Sequence, residues 1–562
     1  MRGQSTSTVL SNPLGAHRTP GVRMEWLDAA PQGRSIVPTD VAGFVGVAER
    51  GPLHSAVRVD GLSQFQGVFG RTLPYSYLAY AVEAFFANGG NRCWVVRVAN
   101  PDDAVAASAI VPVGDADTAL VVTASSPGTW GNAVECHVRP MMHGRFSLEL
   151  RCGGVREVWR GLASAPDASA GRDPIAVLND LVTGSRLVAV RWWADGVGYP
   201  AGTAVGYPSA GSADGVLLTG GADGLSTLRP EHFGAEPTRW GVEALDLVDE
   251  VSLVSVPDCF SPPASQGGVP RPRPCAPKSS VELRPPRPVF DLAALARVQQ
   301  AAVWHCERRR DRVALLDVPR EGVDGLPAGT ADVIAWRDQF DSSYAALYHP
   351  WIVVPDRNVT SRTPTSRTIV PPSGHVAGLC ALGDNTTGVH KAPAGSVLQL
   401  AIDTAVDLDS VEHGDLDHAG VNVIRMARGV RVLGNRTLTK RHSWLGRLNV
   451  RRLLVALEEQ VAVETAWTTF EANGTKLCGE LESLVRDVLE DARRRGLLAG
   501  ATPDEAYSVC CDESVNPPAD LAEGRIACLI GIQPPPPAEF LVVRMVRTPA
   551  GVLAEQPGGG NG

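Results

Sequence analysis

The chain has 562 residues, of which 44% are hydrophobic and 20% charged. That is too long for one ordinary core and too apolar for a disordered chain, so roughly two to four folded domains are expected. A net charge of −9, without a basic stripe, argues against a dedicated nucleic-acid binder.

Residues 1–18 are polar and are expected to be mobile. Val22, Met24 and Trp26 then alternate with Arg23 and Glu25, the period-2 pattern of a short strand with one apolar face. Val41–Val47 is an apolar β run, Tyr75–Asn88 reads as a helix stopped by Gly89-Gly90, and Cys93–Val98 as a buried strand. Between about 103 and 218 short strands dominate: Ala119–Thr123, Ala133–Val138, Phe146–Arg151 and Val155–Trp159, with a helix expected over Asp173–Leu181. From 219 to 390 helices and strands alternate. The strands Val251–Val256, Val313–Asp317 and Trp351–Val354 are separated by helical stretches such as Asp291–Arg309 and Ala331–Gln339, which suggests a largely parallel α/β layer. A proline-rich loop, 261–288, interrupts it.

In the last third, Arg451–Thr469 reads as a helix. Leu477, Leu481, Leu484, Val485 and Val488 share one face of another helix, which ends in Arg493-Arg494-Arg495 and Gly496. Thr502-Pro503-Asp504-Glu505 has capping-box spacing. Tyr507–Cys511, Arg525–Ile532 and Glu539–Val546 read as strands, and residues 548–562 as a Gly- and Pro-rich tail. A strand-forming segment therefore lies near each end of the chain. Each could complete the chain's own sheet or add to a neighbour's, where backbone hydrogen bonds give affinity and alternate side chains give register.

Eleven cysteines, an odd number without a CxxC pair, suggest reduced thiols in a cytoplasmic product. Residues 1–15 lack the apolar core of a signal peptide, and no run approaches the ~18 apolar residues of a membrane span. Four sets of residues invite sharper readings. Ser373 and His375 lie close in sequence, but no triad motif accompanies them. His413, Asp415, Asp417 and His418 could ligate a metal or form a solvated acidic loop. Leu218–Gly224 is glycine-rich but lacks the phosphate-loop pattern and reads as a turn. Cys510 and Cys511 are adjacent and point to opposite faces of a strand. No catalytic, cofactor or metal residue is assigned.

Motifs spread over the chain resemble the contractile tail sheath proteins of phages and phage-tail-like injection systems. They include Val37–Pro52, Ser76–Val82, Phe85–Gly90, Cys93–Val98, Leu218–Gly224, Asp311–Asp317, Tyr348–Trp351, Gly388–Ala394, Gly420–Arg425, Asn449–Leu453 and Pro537–Phe540. The resemblance implies an α+β multidomain fold. Its parts would be an N-terminal arm and part of the core (19–102), a β-rich outer insert (103–218), a subtilisin-like α/β domain (219–390), a C-terminal sheath domain (391–538), and a C-terminal arm and tail (539–562). It further implies a non-enzymatic subunit that polymerises around an inner tube and contracts, working with baseplate and tail-terminator or cap proteins, without nucleic acid or membrane insertion. Its arms, Val22, Met24 and Trp26 at one end and Phe540, Leu541, Val542 and Val543 at the other, would enter a neighbour's sheet formed by Tyr507, Val509, Ile526, Leu529 and Ile530. Such a particle is made in the cytoplasm of a producing bacterium and released by lysis. Another structural component of such a particle, or a subtilisin-like hydrolase, is the alternative.

Overall fold

The computed structural model describes residues 37–113, 118–166, 171–180, 182–193, 204–205, 215–234, 238–261, 287–322, 324–357, 367–441, 444–470, 474–519, 525–535, 541–548 and 551–555. The N-terminal strand at Val22, Met24 and Trp26, the 1–18 segment, Phe540 and most of the 261–288 loop lie outside these residues.

An eight-stranded sheet organises the chain. Its strands are β1 (Ala42–Gly46), β2 (Ala56–Val59), β3 (Cys93–Arg97), β4 (Leu253–Ser255), β5 (Val313–Asp317), β6 (Ala345–His349), β7 (Asn422–Met426) and β8 (Val430–Val432). They lie in the order β2-β3-β1-β4-β5-β6-β7-β8. The six inner strands are parallel, and β2 and β8 close the edges antiparallel. β1, β5 and β6 are buried along their whole length, as expected of parallel strands covered on both faces. The layer thus reaches across the expected boundaries near 102, 218 and 390. Parallel pairing joins segments far apart in sequence, which local patterning does not read.

Helices α1 (Leu78–Ala87), α2 (Leu292–Arg309), α3 (Thr330–Arg337), α4 (Ser373–Thr386) and α5 (Ser410–Ala419) belong to the same layer. α1 and α4 cross closely. A Cβ on Gly374 would fall 2.5 Å from Ala81 Cα, and one on Gly378 2.6 Å from the Phe85 carbonyl, so both positions need glycine. α1 begins three residues later than its pattern suggests, because the first N–H groups of the turn are taken by a buried carboxylate described below. Trp351–Val354, expected in the parallel layer, is corrected. The strand there, Ile352–Pro355, pairs antiparallel with Arg367–Val370 and Asp403–Thr404. The parallel strand is instead β6, whose sequence AALYH carries too weak an apolar run to stand out. Pro350, with no N–H to donate, separates the two.

The 103–218 region has its own core, including Leu120, Val122, Phe146, Leu148, Leu150 and Leu162. Two four-stranded sheets enclose it, and its helix is shorter than expected, Pro174–Leu178. Its two ends are zipped together. Ala104–Val105 pairs antiparallel with Ala222–Asp223, and Asn100 N–H donates to the Gly224 carbonyl at 3.0 Å. In the 218–224 turn, the Asp223 carboxylate accepts the Thr129 N–H at 2.8 Å and its hydroxyl at 2.7 Å.

The C-terminal part pairs helices α6 (Leu448–Thr465) and α7 (Thr475–Arg494) with a four-stranded antiparallel sheet, β9 (Tyr507–Cys510), β10 (Ile526–Ile532), β11 (Leu541–Thr548) and β12 (Gly551–Glu555). Leu477, Leu481, Val485 and Val488 are buried, and Leu489 joins them. Gly496 takes φ +76°, the left-handed conformation that ends a helix without steric cost. The expected tail over 548–562 is corrected. Gly551–Glu555 is a strand that pairs antiparallel with β11, from Thr548↔Gly551 to Arg544↔Glu555.

Candidate functional site

In a doubly wound α/β sheet, ligands bind beyond the carboxyl ends of the strands where the winding reverses. Here that point lies between β1 and β4. It is filled by the chain's own Asp258, which is fully buried. The Asp258 carboxylate accepts the Val47 N–H at 2.8 Å, the Tyr77 N–H at 2.6 Å, the Leu78 N–H at 3.3 Å and the Ser76 hydroxyl at 2.7 Å. The Tyr77 and Leu78 N–H groups are orphan donors of the α1 N-terminus, where an anion would otherwise be held. Burial raises the Asp258 pKa, against the pull of Arg287 and these bonds. Arg287, also buried, lies 3.4 Å away and donates to the Asp258 carbonyl at 2.8 Å.

A second carboxylate repeats the arrangement at the end of β5. Asp317 accepts the Ser373 N–H at 2.9 Å and the Ser373 hydroxyl at 2.5 Å, which fixes the start of α4. The Ser255 hydroxyl lies 2.9 Å from that of Ser373. Burial pushes the Asp317 carboxyl up to about 7, although both bonds from Ser373 lower it. His375 is buried, finds no hydrogen-bond partner among the described residues, and is held neutral with a pKa lowered to about 3 by burial. Ser373 is therefore a helix-start residue bound to an aspartate, with no exposed surface. It is not set against a histidine as a nucleophile would be.

The four candidate metal ligands sit on α5 or its last turn. Asp417 pairs with Arg436 at 2.9 Å, and His413 Nδ1 lies 3.5 Å from the Arg425 guanidinium. Among the described residues, Glu243, Asp246 and His305 are the group close enough to share an ion. Sequence reasoning did not single them out. The Arg308 guanidinium donates to Glu243 and, at 2.8 Å, to Asp246, so a side-chain cation already occupies these carboxylates.

The remaining sequence candidates meet in the C-terminal sheet. Tyr507, Val509, Ile526 and Ile530 are buried, while Leu529 is 36% exposed. The alternation places the first four toward α6 and α7 and Leu529 on the outer face. Leu541, Val542 and Val543 lie in β11, opposite Ile532, Gly531 and Ile530 of the same chain. β9 and β12 are the edges of this sheet among the described residues. The arm residues Val22, Met24, Trp26 and Phe540 lie outside the described residues.

The family described as "Phage tail sheath protein central domain" matches residues 290–438, from the start of α2 to just beyond β8. The tail sheath protein of Enterobacteria phage T4 is 25% identical over 282 residues, 46% of this chain and 40% of the phage protein. Over these stretches the chain is similar in sequence to phage tail sheath proteins. The chain spans about two fifths of the length of the T4 protein that it matches. Among solved structures, the sheath tail protein of Listeria innocua is similar with a TM-score of 0.57 at 14% identity, covering 91% of this chain and 95% of that one. The sheath complex of an extracellular contractile injection system in its contracted state is similar with a TM-score of 0.50 at 16% identity, covering 93% and 96%. At these identities the likeness is one of fold.

Proposed function

We propose that the chain is the sheath subunit of a contractile injection machine, assembling with copies of itself around an inner tube in a metastable extended state and contracting to drive the tube through a target envelope. The observation that carries this is the similarity to tail sheath proteins in both sequence and fold. The self-filled sheet edge fits a non-enzymatic role. In this reading the central layer is the subtilisin-like body, the 103–218 region the outer insert, and the last sheet the tether. Val22, Met24 and Trp26 of one neighbour, and Phe540 followed by Leu541, Val542 and Val543 of another, would enter the sheet made by Tyr507, Val509, Ile526, Leu529 and Ile530.

β10 and β11 pair over seven residues in one register, Ile526↔Arg547 to Ile532↔Leu541. A second copy's β11 can form that same ladder. At a net 0.5–1.5 kcal/mol per hydrogen bond, roughly, the ladder is a durable tether, while polar contacts between bodies repack in discrete steps. Inner tube, baseplate and cap proteins are the proposed partners, and the cytoplasm of a producing bacterium the site of assembly, with release by lysis. Deleting residues 1–30 tests the tether: soluble monomers are expected, and long polymers in electron micrographs would overturn it.

A further inference from the structure

β9 ends at Cys510, opposite Leu529 of β10. One step further, the same register sets Cys511 opposite Cys528. On this side of β10 the Ala527 N–H donates to the Asn516 side-chain oxygen at 2.6 Å, and the Gln533 N–H to the Ala506 carbonyl at 2.8 Å. The odd residues of β10 therefore turn their backbone groups toward β9. Continued by one residue, that register makes Cys511 and Cys528 an antiparallel pair without mutual backbone bonds, a pair type whose Cα atoms lie about 4.5 Å apart. Disulfides span Cα separations of about 4.4–6.8 Å. Both side chains are buried, and Cys478 of α7 joins them. The Cys511 thiol donates to the Ala527 carbonyl at 3.4 Å. All three are free.

We propose that Cys511 and Cys528 are a redox pair, closed into a reversible disulfide by a small-molecule disulfide of the glutathione class. The Cys511 thiolate attacks one sulfur of the reagent RSSR, and RS⁻ leaves and is protonated. The Cys528 thiolate then attacks the Cys511 sulfur of the mixed disulfide, expelling the second RS⁻. The two protein thiols lose two protons and two electrons, and RSSR becomes two RSH. The neighbouring Cys528 thiol, and burial, raise the Cys511 thiol pKa, so the reaction accelerates as pH rises. Access needs only local opening. The ladder beyond Cys510 is carried by the Asn516 side chain, which also donates to the Ala527 carbonyl at 2.8 Å, and strand ends open without global unfolding. The role of the bridge rests on the proposed receiving sheet: it would bolt β9 to β10 while leaving both outer edges free.

The test uses the reduced full chain with glutathione disulfide over a series of pH values from about 8 upward, because alkaline pH favours the attacking thiolate. Thiols are counted and peptides mapped by mass spectrometry without reduction. The expected result is the loss of two thiols per chain and a Cys511–Cys528 linkage. That linkage persists in Cys510→Ser, is absent from Cys511→Ala, and is reversed by dithiothreitol. Unchanged thiol counts, a mixed disulfide that never resolves, or a linkage to Cys478 instead would overturn the proposal. The mapping needs no polymer, so a chain that fails to assemble counts against the sheath reading alone.

Discussion

Burial holds the Asp317 carboxyl at about 7, against about 3.9 in an unfolded chain. Between those values the folded state keeps a proton that the unfolded state has released. This group's contribution is therefore fully present below pH ~4 and is lost as pH rises toward ~7, at up to ~1.4 kcal/mol per pH unit. Asp317→Asn should remove that slope, measured as urea midpoints at about pH 5 and about pH 7. His375 acts in the opposite sense. Its lowered pKa destabilises the fold as pH falls from about 6.5 toward 3, so only the difference between the Asn variant and the parent isolates Asp317. Neither Asp258 nor Asp317 was singled out from sequence. An aspartate just after an apolar strand reads locally as a turn, and Val47, which donates to Asp258, lies 211 residues away. The pairing exists only once β1 and β4 are neighbours.

At the scale of elements, the strands with strong apolar runs were legible: Val313–Asp317 was read to the residue, and Cys93–Arg97 and Ile526–Ile532 to within one. Amphipathic α7 was legible from its spacing. What escaped was order. Nothing in AALYH marks β6 as the neighbour of β5, and nothing local draws β1, β3 and β7 into one sheet with it. The last sheet posed the same problem: β11 was legible as a strand, but whose sheet it joins is not written in its pattern. Because the even residues of β10 turn their backbone groups toward β11, Val543 pairs with Ile530 through its backbone, and proline there removes a donor. Val543→Pro should abolish long polymers in micrographs. The thermal unfolding of the central layer, which β11 does not enter, should be unchanged.

At the scale of the whole molecule, the insert is joined to the layer through two adjacent strands rather than through a shared core. Replacing residues 104–223 by a short Gly-Ser linker keeps the Asn100–Gly224 contact in reach. The shortened chain should remain soluble and unfold cooperatively by circular dichroism, though at lower temperature. Gly51 N–H loses its 2.9 Å acceptor, the Ser126 hydroxyl, and buried Arg97 loses the Pro127 carbonyl at 2.8 Å. Each orphaned buried group costs about 1–3 kcal/mol. A chain that aggregates on excision would show that the insert is part of the folding unit.

The two aspartates at the carboxyl edge have a mechanical consequence. Enzymes built on such layers keep a gap there, and their halves close over what enters it. Here the gap is plugged by side chains that tie β4 to α1 and β5 to α4. A pull on β4 or β5 therefore passes through these bolts to the helix that each one holds.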